Sequence, residues 1–190
     1  IINRLFIPMV HEACFVKDRT GATLEEIDSA VKFKLGFPMG IFELADFTGM
    51  DVIHKATVEM HLRDKKVINP HPLVEKMFDD KKLGQKSGEG YYKYSDDKYE
   101  RVALSEELAE KCDPIQIVAN IINNAAWLIT NGASDIEEIE KAAQLGLGLK
   151  KPLFETAKEI GIKKIVDELN KLADEHGEFY RPDPLLISMQ

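Results

Sequence analysis

The chain has 190 residues, 44% hydrophobic and 31% charged, an ordinary globular composition that excludes a disordered or fibrous polypeptide. Asp and Glu number 33 against 25 Lys and Arg, a formal net charge of −8. That balance argues against a general nucleic-acid binder, which needs a basic face, and against docking on anionic membranes. The longest apolar runs fall far short of the ~20 residues that span a bilayer.

The first predicted element is a long amphipathic helix, with Ile2, Leu5, Phe6, Met9, Ala13 and Val16 on one stripe. A polar turn follows, and Thr23 with Glu26 forms a capping-box signature for the next helix. Gly36 stands where that helix ends in a left-handed residue. A short helix is predicted over 41–47, and Gly49 separates it from a longer one reaching about His61. Strand signals are sparse: only Tyr91 to Tyr94 reads as extended. Residues 83 to about 107 are charged and contain glycine, the character of a link between units. A second long amphipathic helix then carries Ile117, Ile121, Ala125 and Leu128 on its stripe. Asp135 with Glu138 repeats the capping box, and Gly148 repeats the glycine stop. The fold class is all-α.

An offset of 112 positions superimposes the second half on the first. Leu24-Glu25-Glu26-Ile27 falls on Ile136-Glu137-Glu138-Ile139, Leu35-Gly36 on Leu147-Gly148, and Phe42-Glu43 on Phe154-Glu155. Without a gap, Gly49 then meets Gly161 and Pro70-His71-Pro72-Leu73 meets Pro182-Asp183-Pro184-Leu185. The chain is therefore two tandem copies of one helical unit. Residues 1–100 form the first, and residues 101–190 a second, degenerate copy truncated at its C-terminus. The chain opens and closes inside apolar-periodic stretches, so it is expected to be a piece of a longer polypeptide.

Side chains with obvious chemistry are few. The five histidines lack a third ligand at helical spacing, so no metal site is expected, and they read as surface residues on solvated helices. Leu83-Gly84-Gln85-Lys86-Ser87-Gly88 lacks the Gly before Lys that a phosphate loop requires. No Gly-x-Gly-x-x-Gly follows a strand, so no cofactor-binding residues are expected in this chain. Cys14 and Cys112 read as two reduced thiols of a cytoplasmic protein, although a disulfide between them is sterically open. Asn3 stands apart. Flanked by Ile1, Ile2, Leu5 and Phe6, its amide is expected to be partly buried, and it reads either as a structural hydrogen-bonder or as a functional group.

Asn3-Arg4-Leu5-Phe6-Ile7-Pro8, then Gly36-Phe37-Pro38-Met39-Gly40-Ile41-Phe42-Glu43-Leu44 with Asp46 and Gly49-Met50-Asp51, and finally Gly84-Gln85-Lys86-Ser87-Gly88-Glu89-Gly90-Tyr91-Tyr92 resemble, in order, the C-terminal domain of 3-hydroxyacyl-CoA dehydrogenases. The resemblance covers residues 1–94, and more loosely the second copy. It implies a helical domain like the C-terminal domain of 6-phosphogluconate dehydrogenase, and no Rossmann domain in this chain. It further implies β-oxidation chemistry, converting 3-hydroxyacyl-CoA to 3-oxoacyl-CoA. NAD, the catalytic His and its Glu would come from a Rossmann domain of the same polypeptide, leaving this chain inactive alone. Asn3 would be the residue this domain contributes to the catalytic site. Phe37, Pro38, Met39 and Phe42 would line the acyl side of the cleft, or else serve as ordinary core.

The second copy departs from the pattern. Ile115 stands where the first has Asn3, and Lys150-Lys151-Pro152 replaces Pro38-Met39-Gly40. The family's helical domains pair chains into dimers. Either a homodimer or an intrachain pseudo-dimer, with the second copy packed on the first, is expected. Two alternatives stay open: the helical domain of another hydroxyacid dehydrogenase, and a non-catalytic helical interaction module.

Overall fold

The computed structural model describes residues 1–63, 68–95 and 98–190. Among these, the first copy comprises α1 (Ile2–Thr20), α2 (Leu24–Lys34), α3 (Ile41–Thr48), α4 (Met50–Arg63) and α5 (Pro72–Asp79). After α6 (Glu106–Ala109), the second copy repeats the series as α7 (Ile115–Thr130), α8 (Ile136–Leu147), α9 (Leu153–Ile160), α10 (Ile162–His176) and α11 (Pro184–Ser188). The only paired strands among the described residues are β1 (Tyr94–Ser95) and β2 (Lys98–Tyr99), two residues each.

Local signals set the helix ends. Thr23 Oγ1 accepts from the Glu26 amide, and the Glu26 carboxylate returns to the Thr23 amide, closing the capping box at α2. At α8 only half of that arrangement forms. Asp135 accepts from the Glu138 amide, but Ser134 takes the Glu138 carboxylate that would have returned. Gly36 and Gly148 are both left-handed, at φ 76° and 69°.

The two copies close around their first helices. Arg4, early in α1, bonds Asn124, late in α7, while Arg19, late in α1, bonds Gln116 at the start of α7. The helices therefore run in opposite directions across a pseudo-two-fold. Burying both apolar stripes in one seam gives a continuous core from Leu5, Met9 and Ala13 through Ile117, Ile121 and Ala125 to Leu169 and Leu186.

The duplication reaches the buried polar groups. The His71 amide donates to Nδ1 of His11 at 2.9 Å, and the Asp183 amide donates to Oδ1 of Asn123 at 2.8 Å. His71 Nε2 meets Asp18 at 3.0 Å, as Asp183 meets the Thr130 hydroxyl at 2.6 Å. Asp28 accepts from the Phe42 and Glu43 amides at the start of α3, while Glu140 accepts from the Leu153 and Phe154 amides at the start of α9. His11 and Asn123, His71 and Asp183, Asp18 and Thr130, Asp28 and Glu140, and Phe42 and Phe154 each lie 112 positions apart.

Two expectations are overturned here. His11 and His71 are not surface residues: they are 1% and 7% exposed. Each backs onto a partner brought from elsewhere in the chain, which helix periodicity alone cannot register. Of the run Tyr91 to Tyr94 read as extended, Lys93 bridges Glu89 and Tyr94 opens β1, but Tyr91 and Tyr92 do not pair as a strand. Both Asp46 carboxylate oxygens capture their amides, at 2.8 and 2.9 Å, and the Tyr94 hydroxyl donates to the same group at 2.7 Å. Gly90 is required because a Cβ there would lie 2.1 Å from Asp46 Oδ1. Residues 84–101 thus fold back on the first copy rather than simply linking the two, and residues 96–97 within that segment lie outside the described residues. Arg101 completes the closure with an ion pair to buried Glu43, its guanidinium 4.4 Å from the Tyr99 ring centroid.

Candidate functional site

The family-like residues occupy three neighbouring pieces of the first copy: the first turn of α1, the loop of residues 36–40, and the start of α3. α1 begins without a side-chain cap at Ile1 and without an acidic residue in its first turn. Asn3, in that turn, is exposed, and no hydrogen bond among the described residues occupies its amide. The expectation of partial burial is therefore corrected. Ile2 and Arg4, on either side, lean onto the second copy and are half-buried, which turns the intervening side chain outward.

The loop residues divide. Phe37 and Phe42 are core, 5% and 0% exposed, with the Phe42 ring 4.5 Å from that of Tyr91. Pro38 is exposed and Met39 half-buried, so only these two of the four offer surface. Asp28 anchors the loop's far end, and it also accepts from the Tyr92 hydroxyl at 2.9 Å. Burial pushes the Asp28 carboxyl up to about 7, against the pull of its hydrogen bonds. Gly40 is the only residue that fits over it, since a Cβ there would lie 2.1 Å from Asp28 Cγ. Asp28 escaped the sequence reading, although an acid at the same register in both copies, Asp28 and Glu140, was the available signal.

Two of the cavities at the described residues bear on the polar groups above. One, of about 160 Å³ between the copies, is lined by Arg4, Asn124, Trp127, Tyr180 and Arg181 among others. A larger one, of about 320 Å³ on the first copy, is lined by His11, His54, Thr57, His61, Leu62 and His71 with neighbouring apolar residues. Neither includes Asn3. His11 has no free base function: its Nδ1 lone pair takes the His71 amide, so Nε2 carries the proton and donates to Thr57 Oγ1 at 2.9 Å. The Thr57 hydroxyl in turn donates to the Ile53 carbonyl. Burial, helped by nearby His71, lowers His11 to about 3. Among the described residues no group of three or more His, Cys, Asp and Glu side chains could hold a metal ion. No described helix is long and apolar enough to cross a membrane. Cys14 and Cys112 are free and buried, Cys14 bonding the Tyr91 hydroxyl at 3.2 Å.

The described residues thus make up one helical unit, duplicated around a central helix pair, with the Asn3 amide uncovered in the first copy. The sequence profile described as "3-hydroxyacyl-CoA dehydrogenase, C-terminal domain" matches residues 1–94 and again 116–190, and the chain belongs to that family. Rat mitochondrial hydroxyacyl-coenzyme A dehydrogenase is 41% identical over 96 residues, 50% of this chain and 31% of the relative. A probable 3-hydroxybutyryl-CoA dehydrogenase of Deinococcus radiodurans is 41% identical over 96 residues, 50% of this chain and 34% of the relative. The matched part spans about a third of the length of these relatives. The structure of a 3-hydroxybutyryl-CoA dehydrogenase from Escherichia coli superimposes with TM-score 0.79 at 20% identity, covering 100% of this chain and 59% of that one. The dehydrogenase part of a Caenorhabditis elegans multifunctional enzyme does so with TM-score 0.63 at 19% identity, covering 98% and 48%. At these identities the superpositions establish the fold of both copies together.

Proposed function

We propose that this chain is the substrate-side and pairing part of a 3-hydroxyacyl-CoA dehydrogenase acting in fatty-acid β-oxidation. Residues 1–100 form the working copy and residues 101–190 the supporting one. The observation that carries the reading is Asn3: a family-motif amide left uncovered at the end of an otherwise packed helix. A group that works between two domains must stand free when one of them is considered alone. Its amide can donate and accept at once without titrating near neutral pH, which suits it to hold a substrate oxygen and a catalytic side chain in register. Pro38 and Met39 would supply the apolar surface toward the acyl portion, with Phe37 and Phe42 supporting them from the core.

The described residues do not fit NAD. They contain no strand leading into a glycine-rich turn and helix, the arrangement that holds the pyrophosphate of a dinucleotide. The redox step belongs to polypeptide beyond this chain, and what this chain supplies is orientation and an apolar wall. The apolar stripe of α1 is already covered by α7, which supports an intrachain pseudo-dimer over a homodimer built on that stripe. Two buried free thiols support a reducing compartment, of which the cytoplasm is the one proposed.

Incubation with acetoacetyl-CoA and NADH tests the reading. This chain alone is expected to consume no NADH, and the polypeptide joined to its nucleotide-binding domain is expected to consume it. In that longer protein Asn3→Ala is expected to cut turnover by on the order of 10²-fold, the cost of removing one positioned hydrogen-bonding group. Unaltered turnover would return the chain to the class of interaction modules.

A further inference from the structure

The turn that carries Asn3 has no cap of its own, so something else must hold it. Its helical contacts at the start are the Arg4 and Leu5 amides donating to the Ile1 carbonyl, at 2.9 and 3.2 Å. An uncapped first turn frays readily, because its other amides have no partner within the helix. Here both neighbours of Asn3 are fastened to the second copy. Ile2 lies so close over Gly146, in α8, that a Cβ there would sit 2.4 Å from Ile2 Cδ1. The Arg4 guanidinium stacks 3.6 Å from the centroid of the Trp127 ring in α7, and its Nε donates to Asn124 Oδ1 at 2.9 Å. Asn124 is itself fixed, its Nδ2 donating to the carbonyl and side-chain oxygens of Asn120. A further contact holds the loop: a Cβ on Gly148 would come within 2.7 Å of Pro38 Cγ.

The other end of the seam is built differently, around Arg19, whose guanidinium bonds Glu12 and Gln116 and lies farther from its rings, 5.3 Å from the Phe15 centroid and 5.5 Å from that of Tyr180. The 112-position offset places Gln116 opposite Arg4, Glu12 opposite Asn124, Phe15 opposite Trp127 and Lys34 opposite Gly146. There Glu12 is 1% exposed and is bonded by Arg19 and the Tyr180 hydroxyl, while Lys34 reaches the Cys112 carbonyl. The two ends of a pseudo-symmetric interface have diverged. The closer stack, Arg4 on Trp127 at 3.6 Å, sits where the clamped helix begins with Asn.

We propose that the second copy positions the catalytic amide of the first: Trp127, Asn124 and Gly146 act as positioning residues that hold the opening turn of α1 in one orientation. This deepens the reading of Asn3 and rests on it. An Arg guanidinium stacked on an indole face and tied by a hydrogen bond is strong enough to suppress fraying at a helix end. The Ile2 side chain also packs closely on the α8 backbone at Gly146, and a larger residue at position 146 would displace it.

Amide hydrogen exchange of this chain, followed by NMR, tests the clamp without reference to activity. In Trp127→Ala, a truncation at a half-buried side chain, exchange over residues 4–7 is expected to speed up about tenfold, with the centre of α10 unchanged. Trp127→Phe, which keeps an aromatic face, should recover most of the protection. Gly146→Val provides an independent route to the same fraying. Unchanged exchange in Trp127→Ala and Gly146→Val overturns the inference, whatever Asn3 does. In the longer protein carrying the nucleotide-binding domain, Trp127→Ala is expected to lower kcat about tenfold with little change in KM. If Asn3→Ala abolishes turnover there while Trp127→Ala leaves it intact, the inference fails and the Asn3 reading survives. If Asn3→Ala leaves turnover intact, that reading fails and the positioning role fails with it.

Discussion

Replacing His11 with Asn would separate the buried imidazole's acid sensitivity from its structural work, because the second copy performs the same work with Asn123. Asn123 Oδ1 accepts the Asp183 amide at 2.8 Å, just as His11 Nδ1 accepts the His71 amide at 2.9 Å. In the folded chain His11 sits at about 3, against an ordinary value of 6.5, because burial beside His71 disfavours the imidazolium. The unfolded chain therefore binds the proton first. The stability that depends on neutral His11 is fully present above about pH 6.5 and is lost as pH falls toward 3. Each pH unit in that window costs up to about 1.4 kcal/mol, so lowering the pH from 7 to 5 removes about 2 kcal/mol through this one group. Asp28 acts in the opposite sense. Its folded value of about 7 lies above 3.8, so its contribution becomes more favourable as pH falls, but it is common to both proteins and cancels in the comparison.

Urea unfolding of the wild type and of His11→Asn at pH 7 and pH 5 gives the test. At pH 7 the variant is expected to be weaker by about 1 kcal/mol, having lost the bond from Nε2 to Thr57. Between pH 7 and pH 5 it should lose about 2 kcal/mol less than the wild type. Equal losses in the two proteins would refute the reasoning, and would mean that His11 is solvated or that its proton is shared elsewhere.

Asp46→Ala removes the single acceptor of two backbone amides and one phenol, and should destabilise the chain by about 3 kcal/mol in urea titration. The same variant should open residues 91–101 to limited proteolysis ahead of the helices; cleavage in the wild-type pattern would count against Asp46 as the organiser of that segment. Gly40→Ala drives a methyl into Asp28, whose carboxylate holds the start of α3, and a loss of about 2 kcal/mol in thermal or urea unfolding is expected. A neutral result would show that the loop can move away from the carboxylate at little cost. Asn3→Ala, by contrast, should leave stability within about 0.5 kcal/mol, since the side chain is exposed.

Much of this molecule was legible in its sequence, because helix geometry is a local property. The stripe of Leu5, Met9 and Ala13, the capping box at Thr23 and the left-handed glycines at 36 and 148 each depend on residues only a few positions apart. The duplication was legible for the same reason: one spacing pattern is written twice. What only the tertiary structure decided are the contacts that cross the chain. His11 meets Thr57 and His71, Asp46 meets Tyr91 and Tyr92, and Arg4 meets Trp127, over separations from 45 to 123 positions. A polar side chain is buried or exposed according to whether such a distant partner arrives to satisfy it. Periodicity records which way a residue points on its own helix and carries no information about what is waiting there. That is why His11 looked like a surface residue and is enclosed, while Asn3 looked half-enclosed and stands open.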